Sequence, residues 1–328
     1  MKKLWVMIIA GLFSALNTVS VNAWFTVNNI DIRSTGTGST GVAFITGPGS
    51  VFLNPAKIGK LNDKRIVSVS YGSPGAAYRN LSSGDSSETF ISNGCIAAQM
   101  PVWKVFVLGL AWSNYSIAGM YDENVVVLAA SKKIINTLSA GVNLKYLGNK
   151  FYIDTLTLNS EKTRAWLTSP FSKGDGKTGV TLDIGLLWEN VVPSLNLGLS
   201  VQNVTQPDLG LMTKSVVPAK LAVGTVYSFG DAAVFEDISI IADFGKEVSG
   251  YYSNVSTFGF GMETWLNYHM FGLRCGVNST KFAAGFSWYK SIAGFVVQVD
   301  YAFELPYVLA DTFSGHHVAV SLVQKVNN

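Results

Sequence analysis

The strongest constraint on this chain is a period-two alternation of apolar with uncharged polar residues, repeated from Lys64 to near the C-terminal end. In 195–202, Leu195, Leu197, Leu199 and Val201 share one face of an extended segment, and Asn196, Gly198, Ser200 and Gln202 share the other. In 137–147, Leu138, Ala140, Val142, Leu144 and Tyr146 oppose Ser139, Gly141, Asn143 and Lys145. In 257–267, Phe258, Phe260 and Met262 oppose Gly259, Gly261 and Glu263; in 294–304, Phe295, Val297, Val299, Tyr301 and Phe303 oppose Gln298, Asp300 and Glu304. A soluble sandwich also alternates, but its outer face is charged. Here only 14% of residues are charged although 48% are hydrophobic, against about 25% charged in globular domains. A Gly, Ser, Thr, Asn and Gln face suits a barrel lumen, and the apolar face then meets lipid. Lipid does not tolerate open sheet edges, so the strands must close.

Fourteen strand-length segments are expected, at 64–71, 94–101, 104–114, 123–133, 137–147, 178–189, 195–204, 219–229, 236–246, 257–267, 269–277, 281–289, 294–304 and 316–325. Links alternate between long and short, with a short exception near Asn278. Long loops on one rim and tight turns on the other are the outer-membrane arrangement. Trp112, Tyr115, Trp188, Trp265 and Trp288 lie near strand ends and are candidates for an interfacial girdle. The expected fold is therefore all-β, a closed antiparallel transmembrane barrel over 63–328. Residues 24–62 alternate little, are rich in Gly, Ser, Thr and Asn, and are expected to form a mostly irregular plug. Residues 1–23 read as a signal peptide. Lys2 and Lys3 form a positive start, Leu4 to Leu16 an apolar core, and Val21-Asn22-Ala23 a cleavage site ahead of Trp24. The chain thus belongs in the bacterial outer membrane, with membrane lipid as its surroundings.

Catalytic and cofactor signatures fail on context. Gly36 to Gly41 matches G-x-G-x-x-G, but neither a buried strand before it nor a helix after it is legible. Gly176-Lys177-Thr178 resembles the end of a P-loop, yet Phe171 stands where the first glycine belongs. His316 and His317 project to opposite faces of a strand, and Ser321 is four residues from His317, so neither metal ligation nor a nucleophile–base pair follows. Cys95 and Cys275 sit on strands distant in order and are expected to be free thiols. The net charge of +3 and the lack of a basic run leave no signal for nucleic acid. No catalytic residue, metal or cofactor is expected.

Two ends of the chain carry a family resemblance. Near the start come repeated glycines, then Gly41-Val42-Ala43-Phe44, then Asn54-Pro55-Ala56. Near the end, Val299-Asp300-Tyr301-Ala302-Phe303 precedes a loop, His316 and an alternating strand. These resemble the N-terminal hatch and final hairpin of the long-chain fatty acid transporter (FadL/TodX) superfamily, which has spirochaete and PorV-type relatives. The resemblance implies a barrel plugged by its N-terminal segment. It also implies uptake of hydrophobic compounds such as long-chain fatty acids, with lateral exit to the membrane. A PorV-like relative would instead be a scaffold with a protein partner in secretion or surface attachment. Asn54, Pro55 and Ala56 form the candidate plug motif, expected inside the barrel or at its periplasmic mouth. Its plain alternative is a structural turn, the usual use of Asn-Pro. Asn143, Gln202, Asp300 and Glu304 are the polar wall residues expected to face the lumen and pair with it.

Overall fold

A computed structural model describes Phe25 and residues 30–73, 91–102, 106–117, 121–152, 176–211, 214–248, 255–307 and 314–326. The expected signal peptide and Trp24 lie outside the described residues. Fourteen antiparallel strands close into one barrel: β1 (Lys64–Ser73), β2 (Ile91–Val102), β3 (Phe106–Ile117), β4 (Tyr121–Ile135), β5 (Leu138–Phe151), β6 (Gly176–Val192), β7 (Leu195–Gln202), β8 (Ala219–Ala232), β9 (Phe235–Val248), β10 (Ser256–Leu266), β11 (Phe271–Asn278), β12 (Lys281–Ile292), β13 (Phe295–Pro306) and β14 (Gly315–Lys325). Each strand pairs with its neighbours in sequence. The ring shuts where β1 runs against β14, from Lys64 opposite Lys325 to Ser73 opposite His316. Closure leaves no unpaired edge, which a lipid environment requires. Among the described residues no helix is long and apolar enough to cross a membrane. The strands make the crossing.

Alternation fixes which face each side chain takes. On β5, Val142, Leu144 and Tyr146 are exposed outward, while Ser139, Asn143 and Lys145 are buried inward. The same split puts Val67, Val69 and Tyr71 of β1 outside, with Ser70 inside. An apolar outer surface around a closed barrel is the surface of a transmembrane protein. One rim carries tight turns, such as Ala293-Gly294 between β12 and β13, where both residues take positive φ as a primed hairpin turn demands. The opposite rim carries the long links. Two links on that rim are short, between β3 and β4 and between β11 and β12; the second is pinned by Asn278, whose Oδ1 accepts from Thr280 N (2.9 Å) and Lys281 N (3.0 Å).

Residues 30–62 are buried or half-buried throughout and pack on the inward faces of the wall. They are less irregular than their composition suggests. A short helix, α1 (Ile32–Gly36), is capped by Asp31, whose Oδ1 accepts from Ser34 N (3.2 Å). Two 3₁₀ helices follow at Pro48–Phe52 and Pro55–Leu61, each with proline in its first turn. Helix α1 lies against β11–β14, and the second 3₁₀ helix against β3–β6, so the segment bridges the barrel's interior.

Trp265 departs from the girdle expectation. It is buried, and its indole N–H donates to Glu263 Oε1 (3.1 Å) while its ring stacks on Tyr289 at 4.8 Å. The reason is parity, because Trp265 shares its strand face with inward Gly261 and Glu263. Trp112 and Trp188 do face outward. Cys95 and Cys275 are free thiols.

Candidate functional site: the lumen and the N-terminal segment

The Asn-Pro-Ala motif sits against the inner wall at β5 and β6. Asn54 is fully buried, and its one amide makes three hydrogen bonds. Nδ2 donates to Val42 O (2.8 Å) and to Leu186 O of β6 (3.0 Å), and Oδ1 accepts from Ala56 N (3.0 Å). The last bond caps the second 3₁₀ helix, so the turn expected of Asn-Pro is present. The other two tie that turn to the preceding segment and to the barrel wall. This approach needs glycine in the wall: a Cβ at Gly185 would overlap Asn54 Oδ1, and one at Gly141 would overlap the Pro55 backbone. Ala56 O accepts from Ser131 Oγ of β4 (3.2 Å), so all three motif residues meet the wall.

All four polar wall residues singled out from the sequence are buried on the inward face. Two reach the N-terminal segment. Asn143 Nδ2 donates to Val51 O (2.8 Å), and Gln202 Nε2 donates to Phe52 O (3.1 Å) and Leu53 O (2.7 Å). The other two bind the wall instead. Asp300 accepts from Gln298 Nε2 (2.6 Å) and from Ser287 Oγ. Glu304 faces Lys281 and His317, whose Nε2 is 3.2 Å away.

A set of charged residues was not singled out from the sequence. Arg33 of α1 forms a two-pronged pair with Glu263 of β10, at 2.5 Å and 3.2 Å. Its guanidinium also lies over the rings of Phe44 and Trp265, at 5.1 Å and 5.4 Å. Burial works against the Arg33 charge, but Glu263 overrides it and holds its pKa above the ordinary value. Glu263 in turn accepts from Arg274 Nε (3.0 Å), which carries the network to Ser287 and Asp300. On the other side Asp243 receives Gly41 N (2.5 Å) and Val42 N (2.8 Å), and Lys145 pairs with Asp183 at 2.6 Å. Lys57 donates to Gly41 O and to Phe44 O (2.9 Å). Burial pushes its amine down to about 8, although Asp31 and Asp243 oppose that fall. The available signal was parity: Glu263, Arg274, Asp243, Lys145 and Asp183 each stand an even number of places from an inward glycine or asparagine on their own strand. Among the described residues no cluster of metal-ligating side chains occurs.

The lumen is not uniformly polar. Cys95 and Ala97 of β2, Val107 and Ala111 of β3, Val125, Val127 and Ala129 of β4, and Leu147 of β5 all face inward and are buried. Phe25, Ile30, Val51, Phe52 and Ile58 pack on them from the N-terminal side. Leu209 and Val217, from the link between β7 and β8, join the same cluster. This makes an apolar seam along one sector of the wall. Its upper end is covered by a braced loop. Asp208 accepts from Ser215 N (2.9 Å) and Gly210 N (3.0 Å), which lower its pKa, and Asn149 Nδ2 donates to Leu209 O (3.0 Å). The remaining sector, β6–β14, holds most of the buried ion pairs described above.

No family model matches the sequence, and no curated protein matches it. Solved structures do match by shape. A CymD monoaromatic hydrocarbon channel superposes with a TM-score of 0.62 at 14% identity, covering 93% of this chain and 100% of that one. A FadL homologue of Pseudomonas aeruginosa gives 0.58 at 13% identity, covering 90% and 98%. The toluene transporter TodX of P. putida gives 0.58 at 11% identity, over 90% and 98%. At such identities the likeness concerns the fold, and the fold of this chain is that of the FadL and TodX outer-membrane barrels.

Proposed function

We propose that this protein carries hydrophobic compounds across the outer membrane, with residues 24–62 acting as the plug of a barrel over 63–328. The apolar seam between the N-terminal segment and β2–β5 is the observation that carries this reading. An outer leaflet of lipopolysaccharide resists apolar solutes. A lumen sector lined by alanine, valine and leucine offers them a route without a water-filled passage. Uncharged compounds suit the seam better than the carboxylate of a long-chain fatty acid. Glu123 of β4, buried beside Phe25 where its Oε1 accepts from Phe25 N (3.2 Å), is itself an acid. The nearby Lys145 is taken up by Asp183. Sideways release into the membrane belongs to the same proposal. It requires a strand pair to part, because the β2–β3 and β3–β4 ladders are unbroken.

A PorV-like scaffold is the second reading, and the close filling of the β6–β14 sector by residues 30–46 and ion pairs favours it. Mass spectrometry of small molecules retained by gently purified protein separates the two. Transport predicts a neutral hydrophobic compound above the level in a matched membrane blank. No compound above that level, together with a co-purifying protein partner, turns the assignment to the scaffold.

A further inference from the structure

The link between β7 and β8 enters the lumen at the long-loop end of the seam. Two arms of it, 207–210 and 215–217, pair with each other as a strap. Leu209 N donates to Ser215 O and Val217 N to Pro207 O, both at 2.9 Å. Asp208 Oδ1 closes the same unit by accepting from Gly210 N and Ser215 N. All of these bonds lie within the strap and would travel with it. Leu209 hangs inward and is 1% exposed, in the cluster that holds Val125 of β4 and Leu147 of β5. Leu147 pairs with Gly179 of β6, and a Cβ at Gly179 would stand 2.7 Å from Pro207 Cβ and 3.1 Å from Leu209 Cδ2. Pro207 and Leu209 thus fill a notch where β6 carries no side chain.

The strap is tied to the wall at its edge. Asn149 Nδ2 donates to Leu209 O (3.0 Å), with Asn149 Oδ1 held by Lys177 N (2.8 Å). Lys177 Nζ donates to Gly210 O (3.0 Å) and stands 3.4 Å from Asp208. The Lys177 and Asp208 side chains are 41% and 35% exposed, a setting in which an ion pair contributes little. A unit bonded within itself and lightly held outside can lift as one piece. What it would uncover is an apolar notch that opens onto the seam. We propose that the place filled by Leu209 is the outer ligand site of the seam, that it takes a neutral hydrocarbon group, and that Leu209 is its built-in competitor. Ligand and strap then exclude one another. Gly179 and Leu147 at the notch offer no polar partner, so a charged group would enter it unpaired. The proposal deepens the transport reading and rests on it for the class of ligand, but its test needs no transport step.

The test uses the whole barrel, purified from outer membranes and held in lipid nanodiscs. Hydrogen exchange is read with and without saturating benzene, the neutral probe. The expected result is exchange at least about fivefold faster with benzene at the amides of Leu209, Gly210, Ser215 and Val217, a coupling of ordinary size. The amide of Met270, which donates to Leu266 O in the turn between β10 and β11, should keep its rate. Coupling is reciprocal, so weakening the strap should tighten binding. Asp208→Ala removes the acceptor of two strap amides. It should bind benzene at least about fivefold more tightly than wild type, read by headspace gas chromatography against empty nanodiscs. Unchanged or slower exchange at the four strap amides overturns the proposal, as does equal acceleration at Met270. Equal or weaker benzene binding by Asp208→Ala also overturns it, and wild-type exchange decides the matter even if that variant fails to fold. Faster strap exchange, with uptake by wild-type cells no faster than the empty vector, keeps the site and removes transport. Uptake with unaltered strap exchange overturns the site and leaves transport standing.

Discussion

Asn54 shows how much one side chain can hold when its backbone neighbours are glycine-lined. Replacing it by alanine leaves Val42 O, Leu186 O and Ala56 N without their partner. The expected cost is about 1–3 kcal/mol, the usual penalty for leaving buried polar groups unpaired. The loss should fall on docking of the N-terminal segment and leave the strand ladder intact. Asn54→Ala should therefore keep the heat-modifiable gel shift of a folded barrel while hydrogen exchange in 41–58 speeds up. Lys57 adds a pH dependence. Its folded-state pKa of about 8 lies below the ordinary 10.5. Between these values the released segment binds more protons than the docked one, so docking strengthens as pH rises from about 8 to 10.5. Exchange protection of the segment should follow that sign, and Lys57→Met should flatten the dependence. On the outer face, Leu199 is 39% exposed between Leu186 and Val223. Leu199→Arg should cost about 2–4 kcal/mol in folding into lipid bilayers. At this scale the sequence made inward polarity legible at Asn143, Gln202, Asp300 and Glu304, because parity alone sets the face. Their partners were not legible, because a partner depends on which strand lies opposite across the lumen or alongside.

The elements are held together unevenly. Helix α1 is five residues long and has little stability of its own. Its hold on the wall comes from Arg33 on Glu263, with Arg274 behind. Glu263→Gln strips the carboxylate from two buried guanidinium groups, a change expected to cost about 3–5 kcal/mol. Its expected signature is faster exchange at 32–46 with the β10–β11 ladder retained. Equal loss across β10 and β11 would instead mark Glu263 as part of the wall's own stability. All fourteen strands were legible, since strand rhythm follows from local alternation and turn chemistry. Two features were not. The middle of the β2–β4 wall is apolar on its inner face as well as its outer one. The run Val125-Val126-Val127-Leu128-Ala129-Ala130, which abandons alternation, is the mark of it. The helical turns in 30–62 were hidden because each is set by a single cap or proline, a signal too short for periodicity to register.

The molecule as a whole divides into an apolar seam and an ion-paired sector, both enclosed by a wall whose outside meets lipid. That division was beyond the sequence, since it arises only when β2–β5 and Phe25, Val51, Phe52 and Ile58 are brought to one side of a closed ring. Transport places the passage in the seam, so filling the seam should stop it and altering the opposite sector should not. Ala111 and Val127 face each other there as ladder partners, both buried. Ala111→Phe at this position adds bulk to the passage, with overpacking expected to cost about 1–3 kcal/mol. The deciding measurement is the uptake rate of a neutral radiolabelled hydrocarbon by cells that lack other hydrocarbon channels. The cells express either the wild-type barrel or Ala111→Phe, with equal amounts of folded protein confirmed in the outer membrane. The expected result is uptake well above the empty-vector rate for wild type and close to that rate for the variant. Wild-type uptake no faster than the empty vector, from a correctly folded barrel, would contradict transport.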